Sequence, residues 1–454
     1  MNKKPLFVTA LSAMTLAGIF LASSCKKDAG NNRPVLAGTL PSDSTITGVI
    51  TADLYLTAAK TYTLSGLVYV SNGAKLTIQA GTTVIGAVGD HTTGGNPGGG
   101  LIITRGSKII AQGTAAAPIV FTSASSTPIS GDWAGVVILG RATTNWTSIA
   151  TIEGIPGTPL ANAQYGDPTE KIDNDNSGIL KYVRIEYAGY PLSANNEING
   201  LTLGGVGSGT VLDYIEVYKS NDDAFEFFGG TVNASHLIAV DALDDMFDTD
   251  NGYTGKITES LGMSDTTRAD ISQSNGFESD NDATGSGNLP ITRPKYDYIT
   301  IIGLPSAAKA SITNGQPSGT GKYGRAAHLR RNSEFEITNS LFLGFNTGIS
   351  LDGSGTYNKY LAGVDIFCNN IAHGYVNPNA YEVSGVFTPI TMNVNCTSNQ
   401  KDNSANPNAL VDLNDPFVRV PYAPTNYQPT PFSPANGAGA FALSSTWADG
   451  WSRF

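Results

Sequence analysis

Two stretches of this chain repeat one another at a fixed distance. Placing SNDDAFEFFGG (220–230) over ALDDMFDTDNG (242–252) aligns Asp222 with Asp244, Asp223 with Asp245, Phe225 with Phe247, Glu226 with Asp248 and Gly230 with Gly252. A third copy, NGFESDND, sets Phe277, Glu278 and Asp280 under Phe247, Asp248 and Asp250 after an eight-residue insertion. GLTLGG (200–205) and GISLDG (348–353) keep the same apolar-polar-apolar core. The acids vary between copies while the apolar positions persist. A repeat of this length marks stacked units that each bury a face against their neighbours.

Between the copies lies a second strand type. LKYVRIEY (Leu180–Tyr187), LDYIEVYK (Leu212–Lys219) and YDYITIIG (Tyr296–Gly303) alternate β-branched or aromatic residues with polar ones, the period of a half-buried strand. Two or three short strands in every roughly 22–32 residues, with Gly and Asn at the corners, predict an all-β chain wound as a right-handed parallel β-helix. A propeller needs longer units of antiparallel hairpins. YVSNGAKLTIQAGTTVIG (69–86), LIITRGSKIIAQG (101–113), GDWAGVVILG (131–140) and SEFEITNSLFLGF (333–345) extend the same pattern to the flanks.

In such a coil alternate residues face opposite ways, so Phe225, Phe247 and Phe277 stack inside. Glu226, Asp248 and Glu278 then form an outward ladder, flanked by Phe228, Asp250 and Asp280. Rungs about 4.8 Å apart make neighbouring carboxylates repel by roughly 1 kcal/mol in water-like surroundings, and about 3–4 kcal/mol at an effective dielectric near 20. The ladder needs cations, raised pKa values or good exposure.

Three readings of these acids remain open. The first is a solvated face with turn aspartates bonded to their own backbone. The second is calcium, which takes six to eight oxygens, held by Asp222, Asp223, Glu226, Asp244, Asp245, Asp248 and Asp250 with Glu278 and Asp280. The third is a catalytic acid pair, since Asp222-Asp223 resembles the paired aspartates of polygalacturonase-like glycosidases. The Gly-His-Gly turn and Arg-Ile-Lys triplet of those enzymes are missing. A calcium-dependent lyase acting on uronate-containing glycans would instead need a basic residue beside the metal. Arg184 and Lys219 are candidates one strand away; Arg325, His328, Arg330 and Arg331 crowd GRAAHLRR, with His328 expected in the slot of Phe225.

The N-terminus reads as a processing signal. Lys3 and Lys4 precede an apolar run from Leu6 to Ala22, and Ser23-Ser24 lead into Cys25, the pattern of a lipoprotein signal acylated at that cysteine; an ordinary secretory leader is the alternative. The run is short for a membrane span. Without residues 1–24 the chain keeps 25 basic and 38 acidic residues, a net charge of −13, so nucleic acid is not an expected partner. Residues 25–44 read as a tether, 45–400 as the coil and 401–454 as an irregular Pro- and Asn-rich segment. Its Phe441, Trp447 and Trp451 are expected to shield the open end of the last coil, or to offer a glycan-stacking platform. The remaining cysteines, Cys368 and Cys396, form one disulfide in an oxidising compartment or stay as buried thiols.

SGDWAGVVILGRA (130–142), LKYVRIEYAGY (180–190), NNEINGLTLGGVGSGT (195–210), SNDDAFEFFGGTVNASHLIA (220–239), DDMFDTDNGYTG (244–255), SNGFESDNDATG (274–285) and the ending STWADGWSRF (445–454) together resemble a family of exported lipoproteins of Bacteroidetes-type bacteria. The resemblance covers most of the chain after Cys25. It implies a pectate-lyase-like β-helix at the outer membrane, anchored through its N-terminal lipid, and names no activity. The expected function is a calcium-stabilised, glycan-binding surface protein, with the lyase and a purely structural or adhesion protein as alternatives.

Overall fold

The computed structural model describes residues 44–453 apart from 93–94, 157–159, 194–195, 313–314, 317–318, 377–379, 385–387, 390, 420–422, 442–444 and 446. Cys25, the leader and all of the tether but Ser44 lie outside the described residues. Among those described, no helix is long and apolar enough to cross a membrane.

Among the described residues the chain winds as a parallel β-helix with two large sheets of 17 and 12 strands. One coil illustrates the path. Val211–Tyr218 runs along the larger sheet, the chain turns through Asp222-Asp223 into Phe225–Phe228 of the smaller sheet, then returns to the larger one as Ala234–Val240. Each strand pairs in parallel with its counterpart one coil on: Phe225 opposes Phe247, which opposes Phe277, which opposes Ala327. Both Gly230 and Gly252, matched in the sequence repeat, leave their strands at φ +85° and +87°. A side chain resists that conformation, so the glycines recur.

The larger sheet has two faces. The first half of Gly178–Glu186 pairs with Lys108–Gln112 and the second half with Ile119–Ser123, so two short strands fuse into one long bent strand. The bend is a residue with positive φ, stacked coil on coil: Tyr182, Tyr214, His236, Glu259 and Tyr298 at 49–58°. Such a conformation costs a non-glycine residue about 1–2 kcal/mol. Ring stacking offsets part of this, at 4.4 Å between Tyr182 and Tyr214 and 4.2 Å between Tyr214 and His236. Past Tyr298 the corner passes to Asn339 and Asn369, whose side chains bond to each other at 2.6 Å.

Inside the coil Phe225, Phe247 and Phe277 are fully buried, with centroids 5.5 and 5.8 Å apart, and Tyr296 stacks on Phe277 at 4.0 Å. Cys368 and Cys396 are joined as a disulfide.

The C-terminal segment does not shield the open end of the last coil. Its Phe441, Ala448 and Trp451 pack on the flank of the larger sheet, against Ile238, Val240, Leu261 and Met263. Trp451 is fully buried, its ring edge-on to Tyr182 and Tyr214 at 5.9 Å, which also removes it as a glycan platform. Those strands end in runs such as LIAV (237–240), apolar on both faces, and a sheet of that kind demands cover outside as well as in.

Candidate functional site

The acid ladder follows from the register. Glu226 lies beside Thr202 on one side and Asp248 on the other, Asp248 beside Glu278, and Glu278 beside His328. The turns that precede these strands add the aspartate pairs. The second member of each pair holds the coils together: Asp223 Oδ1 accepts the Asp245 N–H at 2.8 Å, and Asp245 Oδ1 accepts that of Asn275 at 2.5 Å. These aspartates bond the next coil's backbone rather than their own. The first members, Asp222 and Asp244, are half-buried at the surface of the turn.

The face is not a solvated one. Asp223, Glu226 and Asp245 are 7, 6 and 4% exposed, and all three line a groove of about 920 Å³ with Asp222, Asp244, Asp248 and Glu278. Within it three sets of carboxylates each bring ligand oxygens within 4.8 Å of one another: Asp222, Asp223 and Asp244; Asp223, Glu226 and Asp248; Asp245, Asp248 and Glu278. Burial first, and then the neighbouring negative charges, push Asp222, Asp223, Glu226, Asp244, Asp245 and Asp248 well above the ordinary carboxylate range. Asp244 Oδ1 and Asp248 Oδ1 are buried without a hydrogen-bond partner. Asn199 donates to Glu226.

Seven of the nine predicted metal ligands therefore converge, and two do not. Asp250 lies two residues along the strand from Asp248; it is pushed up to about 8 by burial and by Asp280, and accepts the Asn251 N–H. Asp280 is taken by arginine, 2.9 Å from Arg330 Nε and 2.7 Å from Arg331 Nη1. Arg330 also reaches Glu278. Burial opposes ionisation of Glu278, but the His328 hydrogen bond and the Arg330 charge outweigh it and hold its carboxyl below its ordinary value.

A family model, the pectate-lyase-like β-helix domain, matches residues 48–452. The chain belongs to this family. Comparison with curated proteins and with solved structures gives no match. Because the match reaches residue 452, the flank-packed C-terminal segment is part of the pectate-lyase-like domain.

Within that domain the basic residues sit differently from the sequence expectation. Arg184 lies on the flank beneath the C-terminal segment, 3.1 Å from Glu186 and donating to the Trp451 carbonyl. Lys219 is at a corner of the larger sheet, its Nζ 5.4 Å from the centre of the Tyr218 ring. Neither lines the groove; Arg268, Arg330 and Arg331 do. His328 is not in the slot of Phe225, which Ala327 fills. It is an outward residue, 3.3 Å from Glu278 and 3.0 Å from Asp352.

The repeat also gave no sign of three further acids in the groove, Glu153, Glu197 and Asp270. They come from the segments that link the two large sheets, Glu197 and Asp270 within short two-stranded side sheets, where the coil's periodic pattern does not operate. Burial and then Glu197 raise Glu153 to about 7, against a hydrogen bond with Glu226.

Proposed function

We propose that this groove holds divalent cations, calcium first among them, and through them binds an acidic polysaccharide. The observation that carries the reading is the overlap of the three carboxylate sets, which share Asp223 and Asp248. Calcium sits about 2.4 Å from each oxygen, so two of its ligands lie no more than about 4.8 Å apart, the span found here. An all-carboxylate donor set suits a hard cation, and the unpartnered oxygens of Asp244 and Asp248 are free to serve it. Asp222, Asp223, Glu226, Asp244, Asp245, Asp248 and Glu278 would hold the metal, and its charge would attract the anionic groups of a glycan lying along the groove. Family membership in a pectate-lyase-like domain supports a carbohydrate as partner. With Cys25 read as a lipid attachment site, the protein works at the outer membrane.

Binding without turnover is the reading favoured over a lyase. A lyase needs a base beside the metal; Arg330 and Arg331 are held by carboxylates, and Arg268 is tied to Asp265, Asn221 and Ser130. Burial works against the charge of Arg330, but Glu278 and Asp280 keep its guanidinium above its ordinary value. The test incubates the protein with acidic polysaccharides, with and without calcium, measuring binding and the absorbance of the unsaturated product. Calcium-dependent binding without product supports the proposal, calcium-dependent product would assign the lyase, and absence of binding at saturating calcium would reject both.

A further inference from the structure

Arg330 and Arg331 spend their charge on Glu278 and Asp280, whereas the third arginine in the groove is used differently. Arg268 reaches one carboxylate, Asp265, through Nε at 3.1 Å. Its Nη1 donates to Asn221 Oδ1 at 3.3 Å and its Nη2 to Ser130 Oγ at 2.9 Å, both neutral acceptors. A guanidinium has five N–H donors, so these bonds leave two, one on each terminal nitrogen. The three partners belong to turns of different coils, which fixes the side chain in place. Asn221 is next in sequence to Asp222, so the guanidinium stands beside the acid floor.

We infer that Arg268 is the groove's direct contact for an anionic group of the ligand and sets its preference for charged over neutral glycans. The inference rests on the cation-binding reading above. A fixed, forked guanidinium with both terminal N–H groups to spare matches a carboxylate in two-point fashion, and a compact ammonium does not. The metal on the floor and Arg268 on the wall then share the recognition: the metal attracts any anion, while the fork selects a planar carboxylate. Because Arg268 belongs to none of the three carboxylate sets, its removal should affect glycan without affecting metal.

The test compares the full chain with R268Q, R268K and S130A by calorimetry, using a polygalacturonate oligomer and a neutral glucan oligomer at saturating calcium, and calcium alone. R268Q is expected to bind polygalacturonate roughly tenfold more weakly or worse, R268K to fall between it and the native protein, and calcium affinity to stay within about twofold. S130A removes one of three tethers and keeps the charge, so its glycan affinity should fall clearly less than that of R268Q. Native-like polygalacturonate binding by R268Q would overturn the inference. So would an equal loss in S130A or in calcium affinity, either of which would make Arg268 only a brace of the wall. Failure of the native protein to bind calcium or polygalacturonate would instead reject the cation-binding reading itself.

Discussion

Phe247 is packed between Phe225 and Phe277 with no solvent exposure, so truncating it opens a cavity that neighbouring coils cannot fill. Phe247→Ala should cost about 3–5 kcal/mol in equilibrium denaturation. In the turn that leads into the Phe225 strand the balance reverses. Asp223→Asn keeps an oxygen to accept the Asp245 N–H and removes a carboxyl whose ionisation burial and its neighbours oppose, so it should raise the metal-free melting temperature at pH 7 and shrink the rise produced by calcium. These neighbours were legible in the sequence because large aromatics recur beside acids. The same reasoning failed at His328, where Ala326 and Ala327 carry no size signal, and a slip of one residue turns a side chain to the opposite face. Glu153, Glu197 and Asp270 were illegible because they arrive from segments of irregular length outside the two large sheets, two of them in short side sheets.

At the scale of elements, the C-terminal segment is fastened by apolar burial and by charge. Arg453 Nη1 is 2.9 Å from Glu186, and its backbone N–H donates to Glu216 at 2.8 Å. Trp451→Ala should cost about 3–5 kcal/mol. Glu216, 1% exposed, is raised to about 8 by burial, against the Arg453 hydrogen bond. A carboxyl raised by folding stabilises below its unfolded pKa of about 4.3, and that contribution is lost as pH rises towards 8. Glu216→Gln should therefore flatten the decline of stability between those limits in chemical denaturation at a series of pH values. The segment's aromatic content pointed to docking, but its site was decided by the outward apolar residues of the long strands.

Across the whole molecule, coils that stack in register concentrate like charges in one groove. Metal-free, the folded protein retains protons on the groove acids that the unfolded chain releases. Its stability should fall as pH rises from about 4 through Glu153 near 7, with Asp250, outside the groove, adding to the fall near 8. Calcium must displace those protons, so its affinity should rise over the same range, as calorimetry at several pH values would show. The central claim is that metal sits among the shared carboxylates. Anomalous diffraction from crystals grown with terbium as a calcium substitute tests it most directly. The predicted result is a peak bounded by Asp223, Glu226 and Asp248, with a neighbour towards Asp222 and Asp244 or towards Asp245 and Glu278. A well-ordered groove with no peak between these carboxylates would contradict it.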